Sequence, residues 1–417
     1  MTEGQNDRRP PGDYSANLTL RHRIGKAWRV IFQASTLIGI FALLLLILNI
    51  TDRSFGYVAV ESPFDLDPQS TQGVPIEELP KEELFAILEQ NISRGVFRRL
   101  DREKPFAERS QQEVYEVLVA EIGAPNIVKT WTLSESLFNR SAIQAQARQE
   151  FPDAKLQFVS WIDRNFITSQ QSSEVEKAGI RTAILGSLWT IAITILVAFP
   201  LGLGAAIYLE EYAGNHPVNR LIQTNINNLA GVPSIIYGML GLAIFVRSLA
   251  SITSGAAFGV DGGAAMNGRT ILSAGLTLAL LILPLIIING QEAIRSVPAS
   301  LRLASYGLGA TKWQTVWYHV LPNAIPGILT GTILAISRAF GETAPLVVVG
   351  AATYITMDPN GPFSRFTTLP IQIYQWTARP QEAYRNLAAA TIVVLLGLLL
   401  TLNATAIFLR NRYSRTL

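Results

Sequence analysis

The chain has 417 residues, with 34 Lys and Arg against 31 Asp and Glu for a formal net charge of +3, and 49% of its residues are apolar. It has no cysteine and only three histidines, so disulfide staples are excluded, and His22, His216 and His319 are too scattered for a metal site. No G-x-x-x-x-G-K-[ST], G-x-S-x-G or H-E-x-x-H run occurs, which removes a nucleotide cradle and the common hydrolase sites, and the signatures of a nucleic-acid reader are missing too.

Taken in chain order, the apolar residues cluster into six stretches near or above the ~20 residues that cross a bilayer. A basic tail, 1–31, carries Arg21, Arg23, Lys26 and Arg29 and leads into a first span at 32–50. No small-residue cleavage pattern follows that span, so it is expected to remain as an anchor. A polar region at 51–178 comes next, long enough for a small domain. Helices are expected from Pro80 with Glu82 and Glu83, over 108–122 and over 133–151, with an extended stretch at 155–167. Docking of a partner and a plain packed spacer are both open for this region.

The remaining spans are read at about 180–208, 221–246, 271–288, 324–350 and 387–409. Arg181 and the pair Glu210 and Glu211 bracket the second and are assigned to its interfaces. In the third, Gly231, Pro233 and Gly238 surround Ser234 and Tyr237, a composition that either breaks the helix and aims freed N–H groups at an anion or makes a packing kink. A segment at 291–322 then separates two spans. Val297, Leu301, Ala304 and Leu308 are spaced along one helical face, Gly307 and Gly309 stop that helix, and Thr311 with Gln314 forms a capping box that starts a second. Pro322 is expected to end the second helix. Two short helices bent at glycine make a knob for a groove on a partner, or else an interfacial helix lying on lipid.

In the fifth span Gly327, Gly331, Ala335 and Ala339 recur every four residues, a stripe that admits another helix. Arg338 and Glu342, four residues apart, are costly in hydrocarbon and mark either a gate on a conduction pathway or an internal pair that positions the helix. Pro345 perturbs the helix just beyond. Arg410, Arg412 and Arg415 follow the last span in the tail 410–417, so Lys and Arg at both ends place both termini in the cytoplasm, which six spans permit.

The segment around Leu303, Ala304, Ser305, Gly309, Ala310 and Leu321-Pro322 resembles the loop shared by inner-membrane permeases of binding-protein-dependent ABC importers. Leu303 stands where that loop carries an acidic residue, and Ser305 where it carries a second Ala. PSIIYG at 233–238, RAFGETAPL at 338–346 and RPQEAYRNLA at 379–388 are similar to the PstA-type permease of the phosphate importer. The resemblance implies an all-α polytopic protein of the type I importer permease kind, with six transmembrane helices in the bacterial inner membrane and an extracytoplasmic α or α+β insertion between the first two. It further implies a PstC-type permease partner, two ATPase subunits that use ATP while this chain binds no cofactor, and an extracytoplasmic phosphate-binding protein. Arg338 would then offer transient charge complementarity to hydrogen phosphate, with Glu342 as its competitor. Another oxyanion such as sulfate or molybdate is the alternative substrate, and an autonomous secondary anion carrier is the rival class.

Overall fold

The computed structural model describes residues 18–61, 79–92, 97–98, 100–101, 104–121, 126–152, 154–172, 174–259, 267–351, 354–355 and 357–414. Helix α1 (Leu18–Ser54) is apolar around its whole circumference over the span and exposed along nearly all its length, as a helix solvated by lipid must be. Its hydroxyls are satisfied within the helix, Ser35 donating to Ile31 O and Thr36 to Phe32 O, both at 2.9 Å. The helix extends well past the expected 32–50 because nothing between Leu18 and Arg29 interrupts it.

Strand β1 (Phe55–Glu61) follows α1 without a loop. It is the centre of a three-stranded antiparallel sheet, ordered β2 (Asn126–Thr130), β1, β3 (Lys155–Ser160). Helices α2 (Lys81–Asn91) and α3 (Gln111–Glu121) pack around Leu84, Leu88, Phe106, Val114 and Leu118 as a separate small core. The expected helix at 133–151 is two helices, α4 (Leu133–Phe138) and α5 (Arg140–Glu150), split at Asn139. Thr132 caps α4 with a full capping box through Glu135. The extended stretch at 155–167 is strand only to Ser160, because Asp163 accepts from Phe166 N and starts α6 (Arg164–Thr168). The region is thus α+β. Its sheet was hard to read because each strand is short and pairs with residues far away in sequence.

Helix α7 (Arg181–Ile207) continues through a π-helical turn to Tyr212. The expected third span is not one helix. It is α8 (Pro217–Ala230) and α9 (Ser234–Gly241, extended by a π-helical turn to Ser248), bent by 106°. Gly231 N and Val232 N close tight turns onto Asn228 O and Leu229 O, at 3.1 and 3.0 Å, and Pro233 supplies no N–H, so the chain turns there. Helix α10 (Ile271–Arg295) is the centre of the molecule, with 67% of its apolar window buried against 0% for α1. It can be central because Gly275 and Gly290 let Ile193 and Ala206 of α7 come close.

Helices α11 (Ala299–Gly307) and α12 (Lys312–Thr315) form the expected pair, but Pro322 does not end the second. A π-helical turn at Val316–Val320 carries α12 directly into α13 (Leu321–Gly341). Leu321 N bonds Val316 O, five residues back, and Pro322 falls at the start of the next segment where its missing N–H costs little. The fifth span also stops before 350. Glu342 is extended, at φ −75° and ψ 125°, and α14 (Ala344–Val349) restarts with Pro345 in its first turn. Helix α15 (Leu369–Thr377) and the long α16 (Glu382–Ser414) complete the chain. Among the described residues, five helices are long and apolar enough to cross a membrane, or six if the bent pair α8 and α9 is one span.

Candidate functional site

Two places bring chemistry-bearing residues together. The first is the loop 291–322. Gly309 at φ +82° closes α11, since a side chain there would be strained, and Gly309 N bonds Tyr306 O at 2.9 Å. Thr311 N donates to Gln314 Oε1 at 2.9 Å and Gln314 N to Thr311 Oγ1 at 3.3 Å, the reciprocal box expected of those two residues. Ser305 is buried and its hydroxyl meets that of Thr315 at 2.9 Å, so the two helices are locked at their inner faces. Leu303 and Leu308 are 70% and 90% exposed, while Ala304 is exposed beside them and Ala310 is half-buried. Leu321 packs beneath the loop against Val320 and Ala324, and Pro322 lines an apolar groove with Trp317 and Ile325.

That loop is braced from the end of α7. Arg295 makes a two-pronged pair with Glu210, Nε to Oε1 at 2.9 Å and Nη2 to Oε2 at 2.8 Å. Arg302 reaches Glu211 Oε1 and also donates to Val297 O at 2.7 Å and Ile294 O at 2.9 Å. Glu210 and Glu211 were assigned to an interface from the sequence, and their role as anchors of the loop was missed. The legible signal was two acids closing one span and two Arg opening the loop of another. Beside these pairs Gln223 of α8 and Gln291 of α10 exchange amide hydrogen bonds at 2.8 and 3.2 Å, in the wall of a cavity of about 410 Å³.

The second place is where the two broken helices meet. Gly238 of α9 lies against Pro345 of α14, so close that a Cβ on Gly238 would stand 2.7 Å from Pro345 Cα. The junction unites residues 107 positions apart. Tyr237 is buried and its hydroxyl donates back across the break to Leu229 O at 2.8 Å, which fixes the angle between α8 and α9. Ser234, half-buried, opens α9 directly after Pro233. Arg338 and Glu342 do meet, Nε to Oε1 at 3.5 Å, with 44% and 18% of their side chains exposed. The pair is long for a hydrogen bond, and the Arg338 side chain is the more exposed of the two. The small-residue stripe behaves as a helix-packing face: Gly327 meets Ala293 and Gly331 meets Asn289, both on α10, with Ala335 and Ala339 buried.

A third contact lies at the opposite end of α7. Asp358 accepts from Thr182 Oγ1 at 2.9 Å and pairs with Arg181 Nη2 at 2.7 Å, so Arg181, assigned to an interface from the sequence, also tethers the start of α7.

The model of the binding-protein-dependent transport system inner membrane component family matches residues 198–413. The chain is 34% identical over 253 residues to the probable ABC transporter permease protein YqgI of Bacillus subtilis (strain 168), covering 57% of this chain and 80% of that protein. It is 36% identical over 233 residues to the phosphate transport system permease protein PstA 1 of Mycobacterium tuberculosis (strain ATCC 25618 / H37Rv), covering 56% and 70%. With PstA of Pasteurella multocida (strain Pm70) it shares 31% over 236 residues, covering 56% and 77%. The matched residues take in the braced loop, the last part of α7 and both broken helices, and the chain therefore belongs to the family of binding-protein-dependent transport system inner membrane components, as a multi-pass membrane permease.

Proposed function

We propose that this chain is one half of the translocation pathway of an ATP-driven phosphate importer, working beside a PstC-type permease, two copies of an ATPase subunit and an extracytoplasmic phosphate-binding protein. The observation that carries it is the loop 291–322, a preformed two-helix knob rigidly tied by Glu210–Arg295 and Glu211–Arg302 to the end of α7. A push on α11 from an ATPase is passed to α7 through those pairs, and to α13 through the continuous helix from Lys312 to Gly341. Leu303, Ala304, Ser305, Gly309, Ala310, Leu321 and Pro322 are the coupling residues in this proposal. Phosphate as the substrate is supported by the names of the PstA relatives.

In the same proposal α8 and α9 count as one span of six, both termini and the loop face the cytoplasm, and 51–178 stands outside the membrane. Arg338, Glu342, Ser234 and Tyr237 line the pathway. An Arg with a long, weak internal partner attracts an anion without trapping it, which suits conduction. This chain binds neither nucleotide nor metal, and ATP is used by the partner.

Uptake of labelled phosphate into vesicles holding the four components, with and without internal ATP and with sulfate as competitor, tests the proposal. ATP-dependent uptake that ignores sulfate is expected. Uptake by this chain alone without ATP would replace the importer with a secondary carrier, and competition by sulfate would widen the substrate to oxyanions in general.

A further inference from the structure

Helix α15 buries a row of polar side chains for which the fold provides no partner. Gln372 and Trp376, four residues apart, share one face of the helix, and Thr368 is the residue that precedes its first turn. Thr368, Gln372 and Trp376 are 2%, 1% and 1% exposed, and Thr367 just before them is 1% exposed. Among the described residues, Thr367 Oγ1, Thr368 Oγ1, Gln372 Nε2, Gln372 Oε1 and Trp376 Nε1 are all sealed from solvent without a hydrogen bond. Both ends of one amide are orphaned. Buried polar groups are almost always satisfied, so each exception calls for an explanation. Five orphaned atoms on a nine-residue helix and the two residues before it are therefore too many for accidental packing.

The surroundings are otherwise well made. Leu369 N donates to Ser187 Oγ of α7 at 2.9 Å, and Gly186 admits Thr367 O against it. Trp376 lies beside Phe166 of α6, with ring centroids 6.1 Å apart. The helix is thus pinned at its start by α7 and near its end by the region between the first two spans, so the orphaned groups are held in place. Their chemistry is rich in donors. The indole N–H and the two amide hydrogens only donate, the two hydroxyls donate or accept, and Gln372 Oε1 is the single carbonyl acceptor. No charged residue belongs to the row.

We propose that Thr367, Thr368, Gln372 and Trp376 form an occluded binding site for a protonated oxyanion on the permease route, with hydrogen phosphate as the ligand class. Neutral donors hold an anion weakly, as a transit site requires. Gln372 Oε1 accepts the proton that hydrogen phosphate carries and sulfate lacks, so a sulfate ion would leave that acceptor orphaned. The site rests on the phosphate-import reading but uses none of its coupling residues. It is closed in this conformation and is expected to open to one side in another.

Gln372→Leu keeps the side-chain volume and removes both orphaned amide atoms. Measured in the four-component importer, a ligand site predicts a protein that folds with an unchanged or raised Tm while the KM for phosphate rises by about tenfold or more. Thr368→Val is expected to act in the same direction and more weakly. An unchanged KM with a raised Tm would overturn the site and leave a buried polar seam only. A second measurement needs no altered amide: phosphate added to the wild-type importer is expected to change a tryptophan emission component that Trp376→Phe lacks, and sulfate is not. No phosphate-specific change in that component overturns the site. The two readings fail differently, because a wild-type importer that transports sulfate or molybdate in place of phosphate refutes the phosphate substrate, whereas wild-type phosphate uptake unaffected by Gln372→Leu refutes only the site.

Discussion

Glu211 holds Arg302 through a single carboxylate oxygen, Oε1, which accepts from Nε at 3.0 Å and Nη2 at 2.8 Å. The two are 91 residues apart, and only 6% of the Glu211 side chain and 19% of that of Arg302 is exposed. Arg302 also donates to two backbone carbonyls at the end of α10 and just after it, so one guanidinium joins α7, α10 and α11. Such a junction transmits displacement because none of the three elements can move without breaking a charge-assisted bond.

Glu211→Gln leaves Arg302 enclosed without its counter-charge, which costs about 3 kcal/mol for a pair this sheltered. The expected result is a lower Tm in detergent and ATP hydrolysis that no longer drives uptake. The reversed pair, Glu211→Arg with Arg302→Glu, is expected to recover part of the loss in a double-mutant cycle. Additive losses would show that the two residues do not act together.

Gly238→Ala places a Cβ 2.7 Å from the Pro345 backbone, which cannot swing aside as a side-chain end would. The two broken helices must separate, at a cost of about 1–3 kcal/mol. Thermal unfolding should show that loss, while Gly341→Ala, which meets nothing within 4 Å, should not.

Arg338→Lys keeps the charge and loses the planar fork, and Glu342→Gln removes the competitor for it. Each is expected to reduce phosphate uptake by roughly tenfold while assembly with the partner permease survives. Wild-type uptake by both assembled variants would confine the pair to positioning α13.

Asp358 lies in the loop before α15. Burial raises its pKa, but hydrogen bonds from Thr182, Arg181 and Gln170 and the Arg181 charge outweigh that, and the carboxyl sits below its ordinary 3.8. A depressed acid stabilises the fold above the unfolded pKa, and the contribution is lost as pH falls through the folded value. Asp358→Asn is therefore expected to be less stable than wild type by a constant margin from about pH 5 upward, with the margin closing as acid takes the pH below 3.8. A margin that does not change with pH would show that the carboxylate charge is not what tethers α7.

Patterns confined to a few residues were legible in the chain. Thr311 and Gln314 gave the start of α12, Gly309 the end of α11, and the four-residue spacing from Gly327 to Ala339 gave a close-packed helix face, because each depends on neighbours one turn away. The continuation through Pro322 was not legible, since a π-helical turn upstream changes which carbonyl each N–H meets. Nor were the sheet between the first two spans, the braces at Glu210 and Glu211, or the orphaned face of α15.

By itself the sequence determined that this protein crosses a membrane, which residues are too polar to lie in lipid, and where the two-helix loop turns at Gly309 and restarts at Thr311, because hydropathy and capping act over short stretches of chain. Only the tertiary structure decided that α10 is central and α1 peripheral, that two interrupted helices meet at Gly238 and Pro345, and that Gln372 is sealed without a partner. Those outcomes depend on which surfaces touch across 50 to 200 residues, and an i, i+4 pattern carries no information about what lies opposite it.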